Sequence, residues 1–353
     1  MSSFRKIKVK DKVQTTSDCA VVAFDVVEDL QPEFKYQAGQ YLTLKAVIDG
    51  EEVRRSYSLC SSPLDTEWKV AIKQVEDGRF STFANQLLKA GDTLEVMPPN
   101  GRFFLDLAPD QARNYVAFAA GSGITPILSI IKTHLQAEPK STFKLFYVNQ
   151  TVQSIILREE IEALKNQYLE RLEVYHFLTR EERDTPLFNG RLDREKLDTI
   201  FRIILDQDDI DHYFTCGPEE MIFMVRDFLL ERGVGEKQIH FELFNTSGIR
   251  KKKKRKEADG SMTAVKMNIN GIAINFDMPK GSNSLLDAAL ARNADLPFAC
   301  KGGVCCTCRA KLVEGKVDME VNYALEQDEV EAGYILTCQS IPLSEKVVVD
   351  FDA

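Results

Sequence analysis

Residues 300–308 read Cys-Lys-Gly-Gly-Val-Cys-Cys-Thr-Cys, and a further cysteine, Cys338, follows after a long gap. Cys300, Cys305 and Cys308 therefore have the spacing C-x4-C-x2-C. With a distant fourth cysteine, this spacing is typical of a plant-type 2Fe–2S cluster held by four thiolates. We therefore predict that these three cysteines and Cys338 are metal ligands.

The other residues of this loop support a cluster and leave two alternatives open. Gly302 and Gly303 allow a tight backbone curl that turns N–H groups toward inorganic sulfide, where a Cβ atom would obstruct them. A structural zinc site is one alternative, although such sites usually bring their ligands in paired knuckles, and three ligands share one loop here. Four buried structural cysteines are the other alternative. The C-x4-C-x2-C register leaves Cys306 out, so we predict that it is not a ligand.

The composition indicates an ordinary globular protein of a reducing compartment. At 353 residues the chain has room for about two or three domains, with 44% hydrophobic and 28% charged residues. No apolar run reaches the roughly 18–20 residues of a membrane span, and the N-terminus lacks the apolar core of a secretory signal. Eight cysteines are too few for a disulfide scaffold, and the net charge of −9 argues against a nucleic-acid partner. We therefore expect a cytoplasmic protein with no nucleic-acid or membrane partner.

Residues 1–110 contain many short β-branched segments, several with alternating polarity, separated by Gly, Pro and Asp turns. Such closely spaced strands predict a small antiparallel β-barrel. On one of them, Arg55, Tyr57 and Ser58 are expected to share a face that clamps a phosphate, stacks on a flat ring and hydrogen-bonds to it. A plain surface strand stays the alternative.

A second feature lies downstream in this β-rich part. Gly78-Arg-Phe-Ser81-Thr82-Phe opens a predicted helix, Ser81–Lys89, that Gly91 closes. Small and hydroxylated residues at a helix N-terminus offer free N–H groups to a phosphate. A simple N-cap by Ser81 is the alternative.

From about residue 112 onward, strands and helices alternate, which predicts a doubly wound parallel α/β sheet. Ligands of such sheets bind at the carboxyl ends of the strands. The segment 121–126, Gly-Ser-Gly-Ile-Thr-Pro, stands at the first of these ends, where glycines let a pyrophosphate approach and Thr-Pro begins a helix. The segment 216–218, Cys-Gly-Pro, stands at a later end, although a Gly-Pro helix start is also common for structural reasons.

Residues 245–262 form a polar linker with an unbroken basic run from Arg250 to Lys256. Such a run repels itself and stays extended. We interpret the basic run as a tether between acidic domains. The alternatives are a nucleic-acid or import signal and a contact with an acidic partner.

Residues 263–353 predict a β-grasp-like fold that carries the cysteine loop. Two alternating strands meet at Asn270-Gly271, a strong hairpin signal, and a helix starts at a Ser284 cap. This segment has 13 acidic and 8 basic residues, a net charge of −5. Such a surface suits electrostatic steering toward a basic electron acceptor.

Together these parts resemble the ferredoxin-NADP reductase-like flavoproteins with a C-terminal plant-type ferredoxin domain, which are the reductase components of multicomponent oxygenases. The resemblance covers nearly the whole chain and is carried by five segments in order: Arg55-Ser-Tyr57-Ser58, Gly78-x-x-Ser81, Gly121–Pro126, Cys216-Gly217-Pro218 and the four ligand cysteines. It implies an FAD-binding antiparallel β-barrel over 1–110, an NAD(P)-binding doubly wound α/β domain over 111–244, the linker over 245–262 and a β-grasp 2Fe–2S ferredoxin domain over 263–353.

The resemblance also implies roles for particular residues. Arg55 would meet the FAD pyrophosphate, Tyr57 would stack on the flavin and Ser58 would lie near its reactive N5. The loop 121–126 and Cys216 would place nicotinamide against the flavin, so Ser58 and Cys216 are the implied catalytic residues. The implied cofactor contacts come from Arg55, Ser56, Tyr57, Ser58, Gly78, Ser81 and Thr82 for FAD, and from Gly121, Gly123, Thr125, Pro126, Arg180, Gly217 and Pro218 for NAD(P)H.

NADPH is the coenzyme that the resemblance favours, with NADH as the alternative. Relatives that choose NADPH often carry an arginine where this chain has Gln150. Arg158 or Arg180 would then supply the contact to the 2′-phosphate.

The ferredoxin end looks like that of the reductase subunits of phenylacetyl-CoA epoxidases, which are bacterial di-iron monooxygenases of phenylacetate breakdown. The likeness lies in Met319–Glu326, Gly333–Ser340 and Val349–Ala353. It implies electron transfer from NAD(P)H through FAD and the 2Fe–2S cluster to a di-iron oxygenase. The alternatives are a reductase of a ring-hydroxylating dioxygenase or steroid hydroxylase, and a redox-sensing module without sustained turnover.

Overall fold

The computed structural model describes residues 4–205, 210–244 and 261–353, which belong to two compact units. One unit spans Arg5–Phe244, and the other contains the described residues 261–353. The predicted linker, including its basic run, lies outside the described residues except for Ser261 and Met262. No helix within the described ranges combines the length and apolar character that crossing a bilayer requires.

An antiparallel sheet forms the first part of the larger unit. Its strands are β1 (Arg5–Thr16), β2 (Cys19–Asp25), β3 (Tyr41–Ile48), β4 (Glu51–Ser58), β5 (Trp68–Lys73) and β6 (Thr93–Val96). They lie in the order β4-β3-β6-β1-β2-β5, and an antiparallel bridge from Leu59 to Val70 links the two edges of the sheet. Linking the edges closes the sheet around a core that includes Phe34, Leu42 and Phe80. The predicted antiparallel β-barrel is confirmed.

The helix of this β-rich part, α1 (Arg79–Gln86), starts and ends earlier than the predicted Ser81–Lys89. Its N-cap is Gly78, so the alternative that Ser81 caps the helix is wrong. Ser81 Oγ donates to the Gly78 carbonyl oxygen at 3.0 Å and accepts from the Val75 N–H at 3.2 Å. A short hydroxylated side chain binds nearby backbone groups both at a cap and within the first turn, so its presence alone does not place the helix start.

A parallel sheet with helices on both faces forms the second part of the larger unit. Its strands are β7 (Asn114–Ala120), β8 (Thr142–Asn149), β9 (Leu172–Leu178), β10 (His212–Cys216) and β11 (Ile239–Glu242), in the order β11-β10-β7-β8-β9. The helices α2 (Ile124–Ala137) and α3 (Arg158–Gln167) pack on one face, and α4 (Arg194–Ile203) and α5 (Glu219–Glu231) pack on the other. Alternate residues of β7 supply both cores, with Tyr115 on the first face and Val116 on the second. The predicted doubly wound α/β fold is confirmed.

The smaller unit is a mixed sheet with two short helices. It contains β12 (Met262–Ile269), β13 (Ile272–Pro279), β14 (Arg309–Glu314), β15 (Val317–Met319), β16 (Tyr334–Leu336), β17 (Ser340–Pro342) and β18 (Lys346–Asp350), with α6 (Leu285–Leu290) and α7 (Gln327–Glu331). The main sheet has the order β13-β12-β18-β14-β16, in which β12 and β18 are parallel, and β15 pairs with β17. A hairpin, a helix and a returning strand parallel to the first confirm the β-grasp-like prediction.

The predicted local signals of this unit lie where the sequence placed them. Asn270 and Gly271 both have positive φ, at 51° and 72°, which is the conformation that a tight hairpin between β12 and β13 requires. The carboxylate of Asp352 accepts a hydrogen bond from each of their N–H groups. Ser284 caps α6 and accepts from the Asp287 N–H.

A buried carboxylate, Glu138, holds the end of α2 in place. Its oxygens accept from the Ala108 N–H (2.9 Å), the Tyr115 hydroxyl (2.7 Å) and the Ser141 hydroxyl (2.8 Å), and His134 Nδ1 lies 3.0 Å away. Burial by itself raises the pKa of the Glu138 carboxyl, but these hydrogen bonds outweigh it and lower the pKa to about 2. The ionised carboxylate therefore ties the segment that leaves the barrel to both β7 and α2.

We expect Glu138→Gln to lower the free energy of unfolding by about 1–3 kcal/mol at pH 7, because the amide leaves buried donors unpaired. Because the pKa is depressed, the ionised Glu138 carboxylate contributes its full stabilisation above pH 4.5, the ordinary pKa of the group. This contribution is lost as the pH falls toward 2. The difference between variant and wild type should therefore shrink below pH 4.5 in urea unfolding followed by circular dichroism. Glu170→Gln, at an exposed carboxylate, is the control. A difference that stays constant with pH would contradict this role.

Candidate functional site

The strand β4 presents the first group of predicted site residues. Arg55 is exposed, and Tyr57 is half-buried with its ring 5.7 Å from the ring of Phe80. Ser56 hydrogen-bonds to Thr43, its partner on the neighbouring strand β3, with 3.1 Å between the hydroxyl oxygens. Ser58 directly follows Tyr57 in a continuous ladder with β3, so the pleat points it to the other face. The prediction that Ser58 shares a face with Arg55 and Tyr57 is therefore wrong.

The turn before α1 holds the second group. A Cβ atom on Gly78 would lie 2.3 Å from Ser81 Oγ and 3.0 Å from the Val75 carbonyl oxygen, so only glycine fits there. The Thr82 N–H donates to the Gly78 carbonyl oxygen, and Ser81 Oγ is already bonded within the turn. An anion at this turn would therefore be bound through the free amides of the first helical residues rather than through the Thr82 N–H.

The carboxyl ends of β7 and β10 meet backbone to backbone. A Cβ atom on Gly123 would lie 2.1 Å from the Cys216 carbonyl oxygen and 2.8 Å from the Gly217 nitrogen. A Cβ atom on Gly217 would in turn lie 3.0 Å from the Ala120 Cβ. The two loops that the sequence predicted as coenzyme sites therefore form one continuous surface, because both glycines lack side chains.

The start of α2 is held by two further hydrogen bonds. Thr125 Oγ1 donates to the Ser122 carbonyl oxygen at 3.0 Å, and Pro126 is buried in the first turn of the helix. The buried hydroxyl of Tyr147 donates to the Gly121 carbonyl oxygen at 2.9 Å. Gly121 itself has φ of +52°, a conformation that glycine adopts without strain. Pro218 caps α5 at the neighbouring loop.

The structure adds one residue that the sequence did not reveal, Glu242 at the end of β11. Ser58 Oγ donates to Glu242 Oε2 at 2.9 Å, and Glu242 lies beside Cys216 in the sheet register. Burial raises the pKa of the Glu242 carboxyl to about 8, although the hydrogen bond from Ser58 acts in the opposite direction. The available signal was its place at the carboxyl end of the last strand, which is where ligands of such sheets bind.

Cys216 is fully buried next to this carboxyl group. Burial, and secondly the nearby Glu242, raise the pKa of the Cys216 thiol well above its usual range. The thiol is therefore neutral and packs as a small apolar group rather than as a nucleophile. Cys216 therefore contributes to this surface through the packing of its side chain.

The four predicted ligand cysteines lie together as two pairs. Cys300 and Cys305 have their Sγ atoms 3.1 Å apart, and the neighbouring Cys338 thiol raises the pKa of the Cys308 thiol well above its usual range. The Gly302 N–H donates to Cys300 Sγ at 3.3 Å. These sulfurs, with backbone N–H groups directed toward them, have the chemistry that an iron–sulfur cluster requires.

The pairing of the thiols bears on whether they would hold a cluster or a single metal ion. Within the described residues, no three or more His, Cys, Asp and Glu side chains are gathered closely enough to hold one ion. A structural zinc ion requires four ligands around one centre, whereas a 2Fe–2S cluster has two irons that take two protein ligands each. The two pairs favour the cluster. Cys306 Sγ is bonded to the Ala324 carbonyl oxygen at 3.2 Å, in keeping with the prediction that it is not a ligand.

Gly303 shapes the loop around these thiols. Its φ is +75°, and a Cβ atom there would lie 2.7 Å from the Val321 carbonyl oxygen. The side-chain amide of Gln339, next to Cys338, donates to the Lys301 carbonyl oxygen at 2.8 Å. The loop is thus held closely against the segments that carry Val321 and Gln339.

The two arginines considered for a 2′-phosphate lie in different surroundings. Arg158 begins α3 and lines a cavity of about 270 Å³ together with Lys165 and Arg183. Arg180 is exposed just beyond the carboxyl end of β9, and its N–H donates to the Gln150 carbonyl oxygen at 2.8 Å. Arg180 therefore lies on the ligand-binding edge of the sheet, next to the loop that carries Gln150.

Three family models match this chain in order. The oxidoreductase FAD-binding domain matches residues 6–105, the oxidoreductase NAD-binding domain matches residues 118–227, and the 2Fe-2S iron-sulfur cluster binding domain matches residues 267–343. The matched segments contain β4, the loops after β7 and β10, and the four paired cysteines.

Full-length relatives are known. The chain is 44% identical to a component of the 1,2-phenylacetyl-CoA epoxidase of Escherichia coli (strain K12), over 100% of this chain and 99% of the relative. It is 31% identical to the ferredoxin reductase component of the 3-ketosteroid-9-alpha-monooxygenase of Rhodococcus rhodochrous, over 98% of this chain and 96% of the relative.

Two solved structures share the fold at 24% identity. Phthalate dioxygenase reductase, described as a modular structure for electron transfer from pyridine nucleotides to 2Fe-2S, aligns with a TM-score of 0.61 over 99% of this chain and 98% of its own. An intact type IV self-sufficient cytochrome P450 monooxygenase aligns with a TM-score of 0.71 over 98% of this chain and 41% of its own. The full-length relatives and the three family models show that the chain belongs to the family of NAD(P)H-dependent reductase components of oxygenases, which carry FAD and a 2Fe–2S cluster.

Proposed function

We propose that this reductase takes electrons from NADPH and delivers them to the di-iron oxygenase of a phenylacetyl-CoA epoxidase in the cytoplasm. The identity of 44% over the whole chain to a component of such an epoxidase supports this partner. The single observation that carries the internal electron path is the hydrogen bond from Ser58 to Glu242, because it brings the barrel strand β4 to the carboxyl edge of the parallel sheet. The division into residues 1–110, 111–244, 245–262 and 263–353 is part of the proposal.

The barrel residues fit the role of a flavin site. Bound FAD accepts a hydride and releases electrons singly, and the 2Fe–2S cluster carries one electron at a time. Arg55 is exposed and presents its guanidinium for a pyrophosphate, and Tyr57 offers a half-buried ring supported by Phe80. Gly78 leaves the turn before α1 open to an anion, where a Cβ atom would crowd Ser81.

The residues of the parallel sheet fit the role of a nicotinamide site. Gly123 is buried and, with Gly217, lets the ends of β7 and β10 lie close together, and Cys216 contributes a neutral, buried thiol. Ser58 and Glu242 lie at this surface and form a hydrogen-bonded pair that can hold a proton near pH 7. We assign positioning to the glycines and Cys216, and proton holding to the Ser58–Glu242 pair.

We assign NADPH as the coenzyme because of the position of Arg180. It stands beyond the carboxyl end of β9, next to the loop of Gln150, and is exposed to a ligand on that edge. A guanidinium binds a phosphate through two parallel hydrogen bonds, which a ribose hydroxyl cannot match.

We expect flavin reduction by NADPH to slow as the pH rises through about 8, because the protonated form of Glu242 is present below its pKa and lost above it. Glu242→Gln should remove this inflection and lower the rate about tenfold, which is about 1.4 kcal/mol. Anaerobic stopped-flow absorbance of the flavin measures both. Glu219→Gln, at the start of α5, is the control, and an unchanged inflection in the Glu242 variant would exclude this carboxyl group.

The electron path to the partner depends on the cluster ligands. Cys305→Ser should keep ferricyanide reduction from the flavin but abolish NADPH-dependent epoxidation of phenylacetyl-CoA by the reconstituted oxygenase, because one iron loses a thiolate. Cys306→Ser should keep both activities. Epoxidation that survives in Cys305→Ser would show that electrons take another route, and equal loss in Cys306→Ser would contradict the prediction that Cys306 is not a ligand.

The same assay decides the partner. A 3-ketosteroid oxygenase serves as the competing acceptor, since a reductase of that system is 31% identical to this chain. We expect coupled turnover with the phenylacetyl-CoA oxygenase and only uncoupled NADPH consumption with the other. Coupled turnover with the steroid system alone would overturn the assignment.

Arg180→Ala should raise the KM for NADPH by about 10–100-fold and leave the KM for NADH unchanged, because it removes one charge-assisted contact to the 2′-phosphate. Steady-state ferricyanide reduction with both coenzymes measures this effect. Arg158→Ala is the matched variant at the cavity beside α3. If that variant alone shows the effect, Arg158 is the contact, and a wild-type preference for NADH would overturn the coenzyme assignment itself.

A further inference from the structure

Two consecutive serines follow β4 and are buried against the helix that begins after the loop 121–123. Ser129 Oγ of α2 donates to the Ser61 carbonyl oxygen at 2.6 Å. The hydroxyl oxygens of Ser62 and Thr133 are 2.8 Å apart. All four residues are at most 2% exposed, and we call them the hydroxyl seam.

The hydrogen bonds of the seam run in one direction. Thr133 Oγ1 donates to the Ser129 carbonyl oxygen at 2.6 Å, which uses the single hydroxyl proton of Thr133. Ser62 must therefore donate to Thr133, while its own oxygen accepts from the Leu64 N–H at 3.1 Å. Ser129 and Thr133 are four residues apart on α2 and so lie on the same face. The barrel loop and the helix are thus joined by a chain in which the hydroxyl protons of Ser62, Ser129 and Thr133 each have one acceptor.

Such a seam fixes the position of the helix more strictly than an apolar contact does. Burial of apolar surface is non-directional and tolerates sliding, whereas a hydrogen bond weakens steeply outside a narrow range of distance and angle. A shift of α2 along the barrel would leave the Ser61 carbonyl oxygen and the Ser62 hydroxyl buried without partners. The seam therefore permits one register between the loop and the helix.

The seam lies close in sequence to both halves of the proposed electron path. Ser62 follows shortly after Ser58, the last residue of β4. Ser129 lies about 8 Å along the axis of α2 from Ile124, its first residue, which directly follows Gly123. A shift at the seam would therefore reach the coenzyme loop through the first turns of α2 and would reach β4 through the short segment after Ser58.

We propose that the hydroxyl seam sets the distance between the flavin strand and the nicotinamide loop, with Ser129 and Thr133 as positioning residues for hydride transfer. This inference rests on the proposed placement of FAD on β4 and of nicotinamide at the ends of β7 and β10. Hydride transfer requires reacting atoms about 3–3.5 Å apart, and a displacement of about 1 Å costs roughly a hundredfold in rate. The seam matters for rate because this separation falls between the barrel and the parallel sheet, which the seam and the Ser58–Glu242 bond hold in register.

The test compares hydroxyl deletions in the full-length holoprotein. Thr133→Val keeps the shape of the side chain and removes the hydroxyl, and Ser129→Ala removes the donor to Ser61. Under saturating NADPH or NADH, whichever reduces the wild type faster, we expect about a tenfold fall in the limiting rate of flavin reduction. The coenzyme dissociation constant and the FAD content should stay unchanged. Thr133→Ser restores the hydroxyl and should restore the rate.

The control removes a hydroxyl that bonds within the parallel-sheet part. Thr142 Oγ1 donates to Asn114 Oδ1 at 2.6 Å, so Thr142→Val loses a comparable bond without touching the seam. It should reduce flavin at the wild-type rate. Unchanged rates in both seam variants, a rate as slow in Thr133→Ser as in Thr133→Val, or an effect only on coenzyme affinity would each overturn the proposal.

A further variant separates this proposal from the placement on which it rests. Tyr57→Ala should weaken FAD binding if the flavin stacks on β4. If Tyr57→Ala keeps wild-type FAD content and rate, the placement itself fails and the inference falls with it. If Tyr57→Ala loses FAD while the seam variants reduce flavin normally, the placement stands and only the seam proposal is overturned.

Discussion

The hydrogen bond from Ser58 to Glu242 is the interaction on which the candidate site depends. It joins the last residue of β4 in the barrel to the last residue of β11 in the parallel sheet. Glu242 is paired with Cys216 in the sheet register, so the same bond places the barrel strand next to the end of β10. Burial raises the pKa of the Glu242 carboxyl to about 8 and so favours its protonated, uncharged form at this boundary.

Steric limits at the ends of β7 and β10 complete this arrangement. The two strands are neighbours in the sheet, and Gly123 fits against the Cys216 carbonyl oxygen only because it lacks a Cβ atom. Close backbone contact brings the two loops into one surface, while the hydroxyl seam and the Ser58–Glu242 bond fix the barrel against it. In this binding surface, small residues let the loops after β7 and β10 approach each other. Hydrogen bonds then fix the position of the barrel relative to these loops.

In the smaller unit, the corresponding constraint is the grouping of thiols into two pairs. Cys300 and Cys305 lie on one loop, whereas Cys308 meets Cys338 only because β16 pairs with β14 and brings the two ends together. A two-by-two arrangement suits two irons and does not suit one tetrahedral ion. The β-grasp sheet therefore brings Cys338 to the loop that carries the other three predicted ligands.

The sequence by itself determined the three fold classes, the hairpin at Asn270-Gly271 and the ligand spacing, because periodicity, turn chemistry and short motifs are properties of neighbouring residues. From the sequence we predicted the wrong face of β4 for Ser58 and a possible N-cap role for Ser81. An error of one residue reverses the face of a strand residue, and an error of a few residues misplaces a helix start. The sequence could not pair Glu242 with Ser58, because the two residues are 184 positions apart and the strand-end position of Glu242 does not indicate its partner. Only tertiary structure could pair those two groups, because burial and hydrogen bonding between distant residues arise from how the barrel and the sheet pack.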